Sequence, residues 1–284
     1  VDKKKRPVNR IGVMTHTGLL ELTAAKKHFK TMISSCYYEG ALKITRPVYL
    51  EKDSPSIYLI HVGGGYVDGD VYRTNLALEE GAELTVTTQS STKVYKTPKQ
   101  PVCQYTDIVL GKGSVLEYLP DPLIAYEGAR FIQETDVTIS EGSSFFYSDI
   151  ITPGWAEDGR LFRYDWIRSK LKVFKEDKLI LLDHLLLEPD EGLGGIMQME
   201  GYTHVGTFLI LHSKATRRFI DSLYEILSEL KGDVQFGLSR LPEDGAILRI
   251  LARSSGSIET MIAHAHEYAR RELLGKDFFS WRKY

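Results

Sequence analysis

Leu76-Ala77-Leu78, Gly81-Ala82 and Leu84-Thr85-Val86 form one unit: an apolar strand, a charged residue, a glycine, a small residue, a second strand. The unit recurs as Ile108-Val109-Leu110, Gly113-Ser114 and Leu116-Glu117-Tyr118, and again as Val137-Thr138-Ile139, Gly142-Ser143 and Phe145-Phe146-Tyr147. The pivot glycines are spaced by 32 and then 29 residues. A glycine at each pivot suits a turn that needs positive φ, which other residues adopt only at a cost. Recurrence of one supersecondary unit at about 30 residues is the mark of stacked, solenoid-like β architecture. An antiparallel sandwich with similar hairpins would give a related pattern. The expected fold class is therefore mainly β, with strands stacked in a β-helix-like or sandwich-like arrangement.

Outward from the repeats, Gly40 to Leu50 and Ile57 to Val62 are rich in β-branched and aromatic residues and read as strands. Thr85 to Thr88 is too β-branched to favour a helix. The last third changes character. Ala215 to Leu230 places Phe219, Ile220, Leu223, Ile226, Leu227 and Leu230 at helical spacing. Ser257 to Leu274 does the same with Ile258, Met261, Ile262, Ala265, Ala269 and Leu273, with Ser257 as expected N-cap and Gly275 as stop. Ala246 to Leu251 reads as a buried strand between two α-helices. The expected organisation is a single domain over 1-284, β-rich over 1-212 and helix-containing over 213-284. Glu188 to Gly195 reads as a Pro/Gly-rich loop that a partner could order.

Composition bounds the function. Hydrophobic residues make up 43% and charged residues 26% of 284, enough for a real core. A formal net charge of -2 provides no field for nucleic acid or an anionic membrane; the basic start Lys3-Lys4-Lys5-Arg6 reads as a solvated tail. No apolar run reaches the ~18 residues that a membrane span needs. The first residues lack an apolar signal core, and two isolated cysteines, Cys36 and Cys103, fit a reducing compartment, so a cytoplasmic location is expected.

Catalytic motifs are thin. Gly111-Lys112-Gly113-Ser114 is better explained as a hairpin turn than as a phosphate loop, since Thr106 stands five residues before Gly111 where that loop has Gly. Gly63-Gly64-Gly65 follows a strand but precedes another strand, so no helix N-terminus can hold a pyrophosphate. There is no G-x-S-x-G elbow. His264 and His266 point about 200° apart on a helix and cannot share one metal. His61, His184, His204 and His212 are scattered and read as packed or surface side chains. The carboxylates are more informative. Asp68 and Asp70 flank Gly69, and Asp121, Glu127, Asp149 and Asp183 lie in or beside expected strands. Turn chemistry explains Asp68 and Asp121. The alternative is a polar interior path in which oxygen ligands hold a divalent ion loosely enough to release it.

The ordered motifs resemble one family. Gly64-Gly65-Tyr66-Val67-Asp68-Gly69-Asp70 is similar to the G-G-x-x-x-G-D segment of the UreD/UreH urease accessory proteins. Gly81-Ala82, Thr87-Thr88-Gln89 and Thr92-Lys93-Val94-Tyr95-Lys96 resemble its G-A, T-T-Q and T-K-V-Y-R stretches, with Lys96 where Arg is usual. Leu119-Pro120-Asp121-Pro122, Gly128-Ala129-Arg130 with Gln133, and Tyr147-Ser148-Asp149-Ile150 through Pro153-Gly154 continue the series; Trp155 stands where the family commonly has Arg. The resemblance is strongest over residues 60 to 190. It implies a mainly β fold with two late helices, no enzymatic activity, and no tightly bound cofactor, only transient Ni²⁺. It also implies binding to UreF, through UreF to the GTPase UreG, and docking on apo-urease to assist nickel delivery to its dinickel centre, with a dimer formed through the complex. Motif position and charge then select Asp68, Asp70, Glu127 and Asp149 for a transient nickel path, with Arg130 and Gln133 as support. Competing readings are a hydrolase using Asp183-His184 or the Asp68/Asp70 loop, and a purely structural partner through which no metal passes. The exposed tail Phe278-Phe279-Ser280-Trp281 is a candidate partner surface.

Overall fold

The computed structural model describes residues 16–189, 192, 198–243 and 245–279. The strands are β1 (Gly18–Lys27), β2 (Lys30–Gly40), β3 (Leu42–Ile44), β4 (Ser56–His61), β5 (Val71–Leu78), β6 (Glu83–Thr88), β7 (Thr92–Val94), β8 (Val102–Leu110) and β9 (Val115–Leu119). They continue with β10 (Leu123–Ala125), β11 (Arg130–Ile139), β12 (Ser144–Ile151), β13 (Trp166–Lys175), β14 (Lys178–Leu187), β15 (His204–Leu211), β16 (Val234–Arg240) and β17 (Gly245–Ala252). Two helices, α1 (Arg217–Ser228) and α2 (Ser255–Ala269), flank the last two strands.

The strands form a seven-stranded sheet, β14-β13-β11-β8-β5-β1-β2, and a ten-stranded sheet whose main path is β16-β17-β15-β12-β9-β6-β4-β3. The chain passes alternately between them, so β1, β5, β8, β11 and β13 run parallel in one and β4, β6, β9 and β12 run parallel in the other. This is the stacked, solenoid-like arrangement that the repeat predicts. Its step from sheet to sheet is the glycine turn. Gly81, Gly113 and Gly142 have φ of 66°, 64° and 69°. Each precedes a residue whose N–H closes the turn, Ala82 to Glu79, Ser114 to Gly111 and Ser143 to Ser140. The turns also bond to one another, Gly81 N–H to Lys112 and Gly113 N–H to Glu141. Antiparallel neighbours then finish the parallel stacks: β2 and β14 in the smaller sheet, β15, β17 and β16 in the larger.

Alternation along each strand sends one set of side chains between the sheets. Near the glycine turns this interior is apolar, with Leu76, Leu84, Ile108, Leu116, Val137 and Phe145 all buried. A second apolar cluster, with Leu20, Val102, Leu123, Phe131 and Ile167, fills the opposite end. The outer face of the larger sheet is apolar too, and α1 and α2 cover it: Phe146, Phe208, Leu248 and Ile250 meet Phe219, Leu223, Ile258 and Met261. Each such large side chain stabilises the fold by about 2 kcal/mol on burial. Helical spacing in the last third thus reflects a sheet face that needed covering.

Three local expectations are corrected. Gly40 to Leu50 is not one strand: β2 ends at Gly40 and β3 at Ile44. Pro47 follows, which has no N–H for a ladder. The N-cap of α2 is Ser254, whose side chain accepts from Ser257 N–H, so Ser257 lies inside the helix. The regular helix ends at Ala269 and Arg270–Leu274 widens into a π turn before Gly275, which stops it with a φ of 65°. Of the loop 188–195, residues 190, 191 and 193–195 lie outside the described residues, as do residues 1–15, Ser280 and Trp281.

Candidate functional site

Between the two interior apolar clusters the strands carry polar residues in register. Thr74, Thr106 and Thr135 stand side by side on β5, β8 and β11, and Tyr72, Gln104, Gln133 and Ser169 form the adjacent row across to β13. The facing sheet contributes Tyr118, Tyr147 and Asp149. Tyr72, Thr74, Gln104, Gln133, Thr135, Tyr118, Tyr147 and Asp149 line a cavity of about 190 Å³, whose exposed lining residues Gly64, Gln89 and Ser90 mark its mouth. A polar space of this size has room for several hydrogen-bonded waters.

Neutral hydroxyl groups make up much of the polar wall. Burial pushes the Tyr118 phenol up to about 12 and the Tyr147 phenol well above its ordinary value, so both stay protonated. Among the lining residues the acidic side chains are Asp121 and Asp149, and Lys93 is the basic one. Thr88 Oγ1 donates to Asp121 at 3.0 Å. Asp149 accepts from Gln133 Nε2 at 3.0 Å and from Ser169 Oγ at 3.1 Å. Burial raises its pKa, opposed by these two donors and by the nearby Arg249. A carboxylate that two neutral donors orient inside a hydroxyl-lined space is a weak, hard-oxygen cation ligand.

At the mouth, Asp70 is buried and accepts from Tyr72 Oη (2.8 Å), Val67 N–H (2.8 Å) and Thr17 Oγ1 (3.0 Å). Tyr72 in turn contacts His61 Nε2 at 2.9 Å. The Tyr66 ring stacks on Tyr72 with centroids 3.9 Å apart, and its hydroxyl donates to Gln104 at 2.9 Å.

The structure brings together some of the residues selected from sequence and separates the others. Asp149 and Gln133 meet in the cavity, and Asp70 supports its mouth. Asp68 instead accepts from the backbone N–H groups of Lys99 (2.8 Å) and Gln100 (3.0 Å), which hold its pKa down. Glu127 is exposed and pairs with Arg163 at 3.1 Å. Arg130 donates to the Thr97 carbonyl and lies 3.9 Å from Asp165. Among the described residues no three His, Cys, Asp or Glu side chains converge as a metal cage. Asp183 is paired with Arg249, which also donates to Thr207, while the adjacent His184 is exposed on the other face of β14. Asp183 and His184 are therefore not a catalytic couple. Phe278 is partly exposed, and Phe279 lies under the Arg270 guanidinium at 4.5 Å.

Sequence reasoning read His61 only as a packed or surface side chain and passed over the tyrosine walls. A single strand reveals only alternation, and the polar rows exist only across four strands. The one available signal was the placing of Gln104 with Thr106, and Gln133 with Thr135, at inward positions of strands whose other inward residues are apolar.

A family model described as UreD urease accessory protein matches residues 16–282. The chain is 69% identical over 271 residues to the urease accessory protein UreD of Bacillus sp. (strain TB-90), covering 95% of this chain and 100% of that protein. It is 42% identical over 257 residues to the UreD of Lachnoclostridium phytofermentans, covering 90% and 94%. Against the UreD of Staphylococcus epidermidis it is 37% identical over 272 residues, covering 94% and 98%. Among the described residues no helix is long and apolar enough to cross a membrane. The match runs through both sheets and both helices, including the glycine loop at the cavity mouth, and the chain belongs to the UreD family of urease accessory proteins.

Proposed function

We propose that this chain is a non-enzymatic, cytoplasmic scaffold in urease maturation through which nickel passes as cargo. It binds UreF, and UreG through UreF, and the assembly docks on apo-urease, with two copies joined through the complex. The observation that supports transit is the hydroxyl-lined cavity with Asp149 inside it. A partly dehydrated Ni²⁺ meets oxygen donors there but, among the described residues, no cage that would retain it. Asp149 holds the ion in passing, Gln133 and Ser169 orient that carboxylate, and Asp70 keeps the mouth in shape.

The test is co-expression with UreF, UreG and apo-urease, size-exclusion chromatography, and an assay of nickel- and GTP-dependent urease activation. The parent chain is expected to co-elute and to be required for activation. Asp149→Asn is expected to co-elute equally and to activate poorly. Full activation by Asp149→Asn and by a double variant with Gln133→Ala would leave a scaffold without metal transit.

A further inference from the structure

We propose that His61 is a metal-ligating residue at the cavity mouth, presenting an unprotonated Nδ1 to a borderline divalent cation such as Ni²⁺. This deepens the transit reading above and rests on it for the direction of travel.

The argument starts at Asp70. Its carboxylate is buried and takes three donors, from Thr17, Val67 and Tyr72. An ionised carboxylate only accepts. The Tyr72 proton therefore points to Asp70, and burial and that bond both hold the phenol protonated. The lone pair of Tyr72 Oη remains for His61 Nε2 at 2.9 Å, which must then carry the imidazole proton. A chain of three side chains thus sets the tautomer and leaves a lone pair on Nδ1.

The ring is also fixed in space. Tyr66 and Tyr72 meet it edge-on with centroids at 4.9 and 5.2 Å. Among the described residues Nδ1 is neither sealed from solvent nor hydrogen-bonded. Gly63 runs beside the ring: a Cβ there would lie 3.7 Å from His61 Cε1, in ordinary contact. Metal-binding histidines characteristically donate their other ring N–H to an oriented acceptor, which fixes the ring and raises its basicity. Here the acceptor is Tyr72, backed by Asp70. A single imidazole, with water completing the coordination, favours Ni²⁺ over Mg²⁺ yet binds weakly enough for the ion to move on.

The test is histidine-selective ¹⁵N NMR on the full chain, titrated with Ni²⁺ and, separately, Mg²⁺. His61→Gln assigns the His61 ring among the eight histidines. The metal-free spectrum is expected to show His61 as the Nε2–H tautomer. Substoichiometric Ni²⁺ should broaden its Nδ1 before the other histidine signals, and Mg²⁺ should leave it unchanged. His61→Gln should weaken the tightest Ni²⁺ binding by at least ~10-fold, and Tyr72→Phe, by freeing the ring, by roughly 10-fold with the remaining spectrum intact. An Nδ1–H tautomer, or parental Ni²⁺ affinity in His61→Gln, overturns the assignment. If His61→Gln keeps its affinity while Asp149→Asn fails to activate urease, the His61 site falls and transit stands. If His61→Gln loses affinity while Asp149→Asn activates normally, the site stands and transit falls.

Discussion

The carboxylate of Glu117, on β9, is ion-paired with the guanidinium of Arg270, at the end of α2, although 153 residues separate them. Glu117 also meets His266 Nε2. Arg270 is fully buried; it donates to the Asp277 carbonyl at 3.0 Å and reaches Glu51 at 2.5 Å. Lys276 then spans Glu51 (3.3 Å) and Glu83 (2.6 Å). This network fastens the C-terminal segment across the outer face of the larger sheet. Removing one partner of a buried pair leaves an uncompensated charge and costs about 3–5 kcal/mol. Glu117→Gln is expected to lower the denaturant midpoint by a corresponding amount, with hydrogen exchange accelerating first in residues 255–279. Unchanged protection there would mean that apolar packing alone holds α2.

The same pair sets an acid limit. Burial alone would raise the Glu117 pKa, but His266 and Arg270 bring it down to about 2. A depressed carboxylate pKa contributes stability that is present above the ordinary value of 4.5 and is lost as pH falls toward 2. Stability measured by denaturant titration should therefore decline through that window. Glu117→Gln should show a shallower decline, and equal slopes for parent and variant would contradict this.

Two glycines with similar φ should behave very differently. Gly113 has φ of 64° and open space around its Cβ position, so alanine there meets only backbone strain, about 1 kcal/mol. Gly154 has φ of 82°, and a Cβ would lie 2.2 Å from the Ala125 carbonyl oxygen. Gly154→Ala should cost about 3 kcal/mol or more, since the overlap is with backbone and cannot be relieved by a rotamer change. Comparable thermal midpoints for the two variants would show that the 125–154 contact is not rigid.

Asp149 and Asp68 separate transit from turn chemistry. The Asp149 pKa is raised, so ionisation opposes folding, and its effect on stability worsens as pH rises through its folded-state pKa. Asp149→Asn should therefore raise the thermal midpoint at neutral pH while lowering nickel-dependent urease activation. Asp68→Ala should do the opposite. It removes an acceptor from Lys99 and Gln100 N–H, lowers the thermal midpoint slightly, and leaves activation near the parental level. Equal loss of activation in both would restore Asp68 to the path.

Much of the scaffold was legible because its signals are local. Gly81, Gly113 and Gly142 announce turns through one dihedral angle each, and the alternating residues of β5 and β8 announce strands with one buried face. The buried strand Ala246 to Leu251 and the apolar faces of both helices were equally local, whereas β16, half-exposed at the sheet edge, went unread. The site was less so. Asp149 and Gln133 were visible by motif, but their contact depends on β11 and β12 lying in facing sheets. His61 looked like one histidine among eight until Tyr72 and Asp70 stood behind it.

The order of elements, the solenoid step and the family are properties of the linear chain, since repeat spacing, β-branched alternation and ordered motifs are all read from near neighbours. Which polar residues share an interior, which carboxylates are spent on turns, and which charge stabilises Arg270 were decided only by tertiary structure. Parallel stacking brings residues about 30 positions apart into one row, and sheet-on-sheet packing then sets the opposite wall. The charge and water around a carboxylate follow from that second step.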